Sequence, residues 1–359
     1  MKEYLIVVVV LSLTILKMNA QDMERKSPNI TASFEIMIDA PIDTVWQVLA
    51  MDYAKIEKWA SGVSSSVGSG KSLNGSTCSE RSCEITAAGF NDTKEKILRF
   101  DPDNYYLEYD LYHGLPGFVR YSVNKDRLEE RNGKTLWISD NEMRVGGFIG
   151  ATMKGLMRKN LGKVLQYKGE ELKHYIEKGR PHQRKLEVMA KLEKKKLFVL
   201  EQEISAPIEN VWQVIAMDFP SVADSHPVSP RSEFIEGCSQ IKVGSKRIMY
   251  MSKNGKKYFK DEITHLDSAN HEISINAYEA SGYPMNFASV DFFADQPDED
   301  RTNLTLVFTY QTKPRFLQGM ARGSLKKQLQ DYLFAIDHHV NTGEVISEDN
   351  WKRIRKTYR

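Results

Sequence analysis

"APIDTVWQVLAMDY" at residues 40–53 returns as "APIENVWQVIAMDF" at residues 206–219, residue 40 against residue 206, an offset of 166. A short helix repeated at domain spacing marks a whole domain present twice. At the same offset "RSCEITAAGFNDTKEKI" (residues 81–97) falls on "RIMYMSKNGKKYFKDEI" (residues 247–263), matching Arg81 with Arg247, Gly89 with Gly255, Lys94 with Lys260 and Ile97 with Ile263. Further on, "GLPGF" from Gly114 faces "GYPMNF" from Gly282. The match thus runs across a helix, a hairpin and a loop.

Each copy reads alike. "FEIMIDA" and "VLEQEISA" have strand character, and Pro41 and Pro207 follow at the first helical position, where a missing N–H costs nothing. Asp43 and Glu209 fall in the first turn, where the helix dipole favours negative charge. Ile42, Val45, Val48 and Leu49 form an apolar stripe, as do Ile208, Val211, Val214 and Ile215. Short runs of β-branched and aromatic residues come next, separated by turns such as "DPDN", "ERNG", "SKNG" and "DSAN", too short for helical crossovers and so antiparallel. A long amphipathic helix closes each copy: Met153, Leu156, Met157, Leu161, Val164, Leu165, Leu172 and Ile176 share one face, and Phe316, Met320, Leu329, Leu333, Ile336 and Val340 the other copy's.

This gives domains at residues 32–178 and 197–344. Residues 179–196 between them are a charged, helix-compatible connector interrupted by Pro181, and residues 345–359 a basic, solvated tail. At its start the chain has Lys2, an apolar run from Leu5 to Leu16 and small Ala20, which reads as a signal peptide over residues 1–20. Export to a periplasmic or extracellular space is expected, with an uncleaved N-terminal membrane anchor as the alternative.

The net charge of +2 over 359 residues gives no reason to expect a nucleic-acid partner. The basic tail leaves a transient contact with acidic membrane lipid open. Cys78 and Cys83 are close enough to bridge or to remain thiols, and with Cys238 they are too few for a metal site. No metal and no cofactor is expected, because no phosphate loop, dinucleotide fingerprint, nucleophile elbow or zinc pattern occurs. Oligomeric state leaves no sequence trace.

In this order the motifs resemble the START/SRPBCC superfamily, above all its polyketide cyclase/dehydrase-like branch. They are the repeated "AP" helix, Trp59 seven residues after Asp52, His226–Pro227, an acid six residues before a turn aspartate (Glu95 and Asp101, Asp261 and Asp267), and the G-x-P loop. The resemblance covers nearly all of the chain beyond residue 20, once per copy. It implies an α+β class of tandem helix-grip domains, each a curved antiparallel β-sheet wrapped around a long C-terminal helix. Relatives hold lipids, sterols, plant hormones or polyketides between sheet and helix; a few catalyse cyclisation or dehydration.

Period two places Glu95 with Ile97, and Phe259, Asp261, Ile263 and His265 together, on single strand faces. The family pattern then puts Glu95 and Asp261 in the pockets, with solvent-exposed carboxylates on an edge strand as the plain alternative. His226 with Asp261 is the candidate catalytic pair, able to transfer a proton if the two lie in hydrogen-bond reach; the first copy has Ala60 at the histidine position and Trp59 where the second has Ser225. Arg81 and Arg247 are ligand-carboxylate candidates or ordinary surface ion pairs. Trp59, Leu115, Phe118, Met157 and Leu161 are expected to line the first cavity, and Met249, Met251, Tyr283, Phe287 and Met320 the second.

A binding or carrier protein for a small hydrophobic ligand, lipid or polyketide-like, is the leading expectation, with cavities of roughly 300 to 1,000 Å³. A cyclase or dehydratase using His226 and Asp261 is the second, and a non-binding structural module the third.

Overall fold

The two helix-opening prolines act one residue earlier than the sequence suggests. In the computed structural model, which describes residues 27–86 and 92–358, Pro41 and Pro207 are extended at ψ 149° and 148° and cap α1 (Ile42–Trp46) and α4 (Ile208–Trp212). Their carbonyls accept from Val45 and Val211. Asp43 and Glu209 do lie in the first turns, and each meets a side chain from a left-handed turn residue: Tyr105 OH donates to Asp43 at 2.6 Å, and His271 Nε2 stands 3.2 Å from Glu209. Both helices then widen, Asp52 N–H bonding to Gln47 O and Asp218 N–H to Gln213 O, before a tight turn over Tyr53–Lys58 or Phe219–Ser225. An i→i+5 bulge at matching positions shows that the repeat is structural to its details.

Between helices lie the sheets. The first holds β1 (Ile30–Ile38), β2 (Val63–Ser69), β3 (Glu80–Ile85), β4 (Thr93–Asp101), β5 (Tyr106–His113), β6 (Val119–Arg131) and β7 (Lys134–Val145), in the order β1-β7-β6-β5-β4-β3-β2. In the second are β8 (Lys196–Ile204), β9 (Arg231–Phe234), β10 (Lys246–Tyr250), β11 (Tyr258–Asp267), β12 (Glu272–Ser281), β13 (Met285–Asp298) and β14 (Arg301–Thr312), in the order β8-β14-β13-β12-β11-β10-β9. All neighbours are antiparallel. The β4–β5 ladder slips at Lys94/Glu95 and Ile97/Arg99, and β11–β12 at the equivalent Lys260/Asp261 and Ile263/His265. Such bulges bend a strand, as a sheet gripping a helix requires. The second slip also corrects the expected strand face: His265 is turned outward while Ile263 is fully buried.

α2 (Gly147–Lys178) and α5 (Leu317–Thr342) are the gripped helices, each ending at a left-handed glycine, Gly179 or Gly343. Gly169 lets α2 approach β1, since a Cβ there would stand 2.3 Å from the Phe34 ring. The expected helix faces were drawn too wide: Leu156, Val164, Phe316 and Met320 are exposed, and the buried stripes are Leu165 and Leu172, and Leu333 and Ile336.

Two segments expected to be solvated have structure. Within the connector, α3 (Gln183–Leu192) packs Leu186 and Ala190 against Leu197, Val199, Phe293 and Val307. Within the tail, Ser347 and Asn350 form a reciprocal capping box that starts α6 (Glu348–Ile354), whose Trp351 and Ile354 pack with Ala335 and Ile346. The chain divides into two units at residues 185 and 186. The expected signal peptide and Gly89 lie outside the described residues.

Candidate functional site

A buried ion pair recurs in both units. Arg81 stands across from Glu95 on β3–β4, and Arg247 across from Asp261 on β10–β11. Arg81 Nε donates to Glu95 at 2.6 Å and Nη1 to the Tyr53 carbonyl at 2.6 Å; Arg247 donates to Asp261 at 3.0 Å and to the Phe219 carbonyl at 2.7 Å. Each guanidinium lies over the ring of that same residue, at 3.9 and 4.2 Å. All four ionic groups are buried, on interior strands, which corrects the surface-ion-pair and edge-carboxylate alternatives. Saturated in this way, the arginines are structural anchors first.

The second unit surrounds this pair with a cavity. Met249, Met251, Phe259, Tyr283, Val290 and Phe292 give it an apolar wall, and Leu325, Leu329 and Tyr332 of α5 form its floor. Its volume is about 140 Å³, below the size expected from sequence because large aromatic rings fill the sheet's concave face. Space of this order accepts one aromatic ring: an engineered apolar cavity of about 150 Å³ binds benzene.

His226 borders the cavity, its ring 4.7 Å from that of Tyr332. Its Nδ1 accepts from the N–H groups of Val228 (3.2 Å) and Ser229 (3.0 Å), so Nδ1 is unprotonated and Nε2 carries the hydrogen of a neutral imidazole. Burial, with the Arg247 charge adding to it, pushes the His226 pKa down to about 3. Burial raises that of Asp261, and Arg247 opposes the rise without cancelling it. His226 and Asp261 therefore border one cavity but spend their hydrogen bonds on different partners. What the arrangement offers a ligand is a neutral donor, His226 Nε2–H, beside an apolar wall.

The first unit is built differently at the same positions. Thr135 and Thr302 each donate to the carbonyl ending the first strand's turn, Ala40 or Ala206, and fix the correspondence of β7 with β14. From there the registers align Ser122, Asn124 and Asp126 with Ala288, Val290 and Phe292, and Ser139 and Asn141 with Leu306 and Phe308. The glycine caps align Lys168 with Tyr332. Lys168 Nζ meets Asp126 and Tyr109 OH, both at 3.0 Å, and Trp137 Nε1 donates to Asp126 at 3.2 Å. Asn141 donates to Ser122 Oγ and Asn124 Oδ1. Burial opposes the Lys168 charge, and Asp126 outweighs it, so its pKa lies above the ordinary lysine range; burial lifts Tyr109 to about 12.

Of the residues singled out from sequence, the structure brings His226, Arg247, Met249, Met251, Asp261 and Tyr283 to one cavity. Phe287 instead lies under Lys195 Nζ, 3.7 Å from its ring centre, and Met320 is 77% exposed. In the first unit Trp59 is core, and Leu115, Phe118, Met157 and Leu161 pack with Ile30, Val119, Met143 and Val145, apart from the ion pair. Cys78 and Cys83 are buried free thiols. Sequence reasoning missed Tyr332 and Lys168; the signal for both was a polar group inside the stripe of Leu165 and Leu172, or of Leu329, Leu333 and Ile336.

The curved sheets and the gripped helices define a class: this is an α+β protein of two tandem helix-grip domains. Residues 29–177, the first of them, match the family model described as polyketide cyclase / dehydrase and lipid transport. Among solved structures, the di-domain ARO/CYC StfQ from the steffimycin biosynthetic pathway is similar at 10% identity, covering 86% of this chain and 98% of that one, with a TM-score of 0.35. Norcoclaurine synthase from Thalictrum flavum is similar at 16% identity over 41% of this chain and 87% of that one, TM-score 0.34. Major latex-like protein 151 from Panax ginseng follows at 17%, over 40% and 97%, TM-score 0.35. A comparison with curated proteins matches none of them.

Proposed function

We propose that the protein binds a small apolar molecule, of about one aromatic ring, in the cavity of its second domain, and serves as its carrier. The observation that supports this most is the lining: apolar and aromatic side chains around a neutral donor, His226 Nε2–H, with the two charged groups of the lining, Arg247 and Asp261, neutralising each other. A carbonyl, ether or hydroxyl oxygen on the ligand would accept from His226. Met249, Met251 and Met285 line the same space, and their flexible side chains allow it to widen for a longer ligand.

A cyclase or dehydratase would need a group that takes up a proton near neutral pH. His226 has its basic nitrogen occupied by two backbone N–H groups, and Asp261 is engaged with Arg247. Both facts favour binding over proton transfer. Export, expected from residues 1–20, is part of the same proposal, and N-terminal sequencing of the protein from its host tests it: a start after Ala20 is expected, and an intact Met1 would overturn it.

Native mass spectrometry of protein purified gently from its host, followed by denaturing extraction, tests the carrier reading. A released apolar molecule at one per chain is the expected result. Protein that is always empty and takes up no apolar probe would leave the cavity as a packing feature only.

A further inference from the structure

The N-terminal half of each gripped helix departs from the rest of the molecule. Residues 147–166 hold four basic side chains (Lys154, Arg158, Lys159 and Lys163) and no acid; residues 313–330 hold five (Lys313, Arg315, Arg322, Lys326 and Lys327) and again no acid. Over the whole chain, by contrast, 50 bases are balanced by 48 acids. None of the nine bases makes an ion pair with a described residue. Apolar groups lie exposed among them: Phe148 (85%) and Ile149 (59%) in α2's first turn, then Leu156 and Val164; Phe316 (74%) and Met320 (77%) at the start of α5.

The outward direction follows from helical spacing. Phe316, Met320 and Lys327 fall within about 40° of one another around α5 at 100° per residue, opposite the buried Leu329 and Ile336. On α2, Phe148, Lys159 and Lys163 fall within about 60° of one another, opposite Leu161 and Leu165. Large apolar side chains on the solvent face of a basic helix, with the opposite face anchored in a core, match a surface that is both apolar and anionic. Neither helix is long and apolar enough to cross a membrane.

The position of these surfaces gives them a use. In the second unit the Lys313 N–H donates to Pro284 O, joining the approach to α5 to the Tyr283–Met285 loop, and Tyr283 and Met285 line the cavity. Leu325, also in the lining, stands five residues along α5 from Met320, about 7.5 Å of helix rise. In the first unit the Gly146 N–H donates to Phe118 O, placing the Leu115–Phe118 loop at the start of α2. Both patches thus sit beside the G-x-P loop of their own unit.

We infer that the first halves of α2 and α5, with Phe148, Ile149, Phe316 and Met320 as insertion points, are docking surfaces for an anionic lipid bilayer. Charge complementarity selects that occupant: a partner must supply negative charge over some twenty residues of helix and accept aromatic side chains between those charges. Docking would hold the cavity end of the second unit against a phase in which an apolar ligand dissolves.

The test is co-sedimentation of the full chain with vesicles of phosphatidylcholine containing about 30% phosphatidylglycerol, and of phosphatidylcholine alone, at about 0.1 M salt. At least tenfold tighter binding to the anionic vesicles is expected, falling with added salt. Neutralising Lys326 and Lys327 to Gln should weaken it by at least fivefold, following about 1 kcal/mol per base at a charged surface. Phe148→Ser with Ile149→Ser, and Phe316→Ser with Met320→Ser, should each weaken it similarly. These positions are exposed, so circular dichroism and the thermal midpoint should stay unchanged and keep the variants readable. Binding that is equal for the two vesicle types, or unchanged in all three variants, would overturn the inference, and it would also separate these helices from any contribution of the apolar run at Leu5–Leu16. Binding to RNA or heparin with none to vesicles would replace the bilayer by a soluble polyanion. Loss of vesicle binding with apolar-probe uptake intact would leave the proposed cavity function standing, so the two readings fail separately.

Discussion

The two units share a chain path, an anchoring Arg–carboxylate pair and even the sites of their bulges, yet their interiors are opposites. Along β6 and β7 the first presents Ser122, Asn124, Asp126, Ser139 and Asn141; along β13 and β14 the second presents Ala288, Val290, Phe292, Leu306 and Phe308. The consequence is visible in the packing. Between sheet and gripped helix the second unit has one continuous apolar cluster, with two smaller ones under α3 and α6, whereas in the first the clusters around Trp137 and around Met143 are separate. Between them run Asp126, Lys168 and the Asn141 network. A polar group placed in a low-dielectric interior needs a partner, and four of the five residues have one: Asn141 donates to Ser122 and Asn124, and Asp126 meets Lys168 and Trp137, while Ser139 Oγ and Asn141 Oδ1 are left without a hydrogen bond among the described residues. The comparison shows how a duplicated fold can retain its frame while its interiors diverge; on the function proposed above, the apolar copy is the one that takes the ligand.

The largest expected effect attacks that network. Asp126→Leu leaves Lys168 charged and buried without its partner, and the first unit should lose about 3–5 kcal/mol in chemical denaturation. The double change Asp126→Leu with Lys168→Leu imitates the second unit and should recover most of that loss; a double variant no better than the single would break the account of the network as a balanced pair. The reverse exchange comes next. Val290→Asn installs the first unit's residue in the second cavity and should weaken apolar-probe binding about tenfold, about 1.4 kcal/mol, because an amide there has no network to join. Titration of the probe by fluorescence checks this, and undiminished affinity would remove Val290 from the site.

A smaller effect concerns pH. In the folded second unit His226 stays neutral down to about 3, while an unfolded histidine takes up a proton near 6.5. Between those values the unfolded chain binds more protons, so stability is lost as pH falls through the window. Because the ring keeps part of its surface open to the cavity, the expected loss is about 1 kcal/mol at about pH 5 rather than the full shift. Wild type and His226→Asn compared at about pH 7 and 5 isolate it. Equal losses in both proteins would contradict the assignment of Nδ1 as an acceptor.

The frame of both units was legible because it repeats: one offset of 166 aligned the first helix, Arg81 with Arg247 and Glu95 with Asp261, all of which the structure superposes by function. The interior difference was harder to read. Asp126, Asn124 and Asn141 belong to strands that alternate with exposed Arg127 and half-buried Lys125 and Glu142, and a polar residue facing inward has the same letters as one facing out until the strand register is known. Lys168 was readable in principle, three residues after Leu165 and four before Leu172. The docked tail hid behind its charge: "WKRIRKTYR" is basic, but Trp351 and Ile354 share a helix face and Ser347 caps it. The cavity's size could not be read from composition at all, since it is what remains after the rings that line it pack, Phe259 on Tyr283 and Phe292 on Tyr332.

The most direct test of the division of labour is an equilibrium titration of the full chain with a single-ring apolar fluorescent probe, repeated on Ala288→Phe, a change that fills the second cavity from its wall and must leave the circular dichroism of the fold intact. One saturable site per chain, abolished in Ala288→Phe, is the predicted result. Two equivalent sites, or a single site indifferent to that substitution, would contradict the assignment of ligand binding to the second domain.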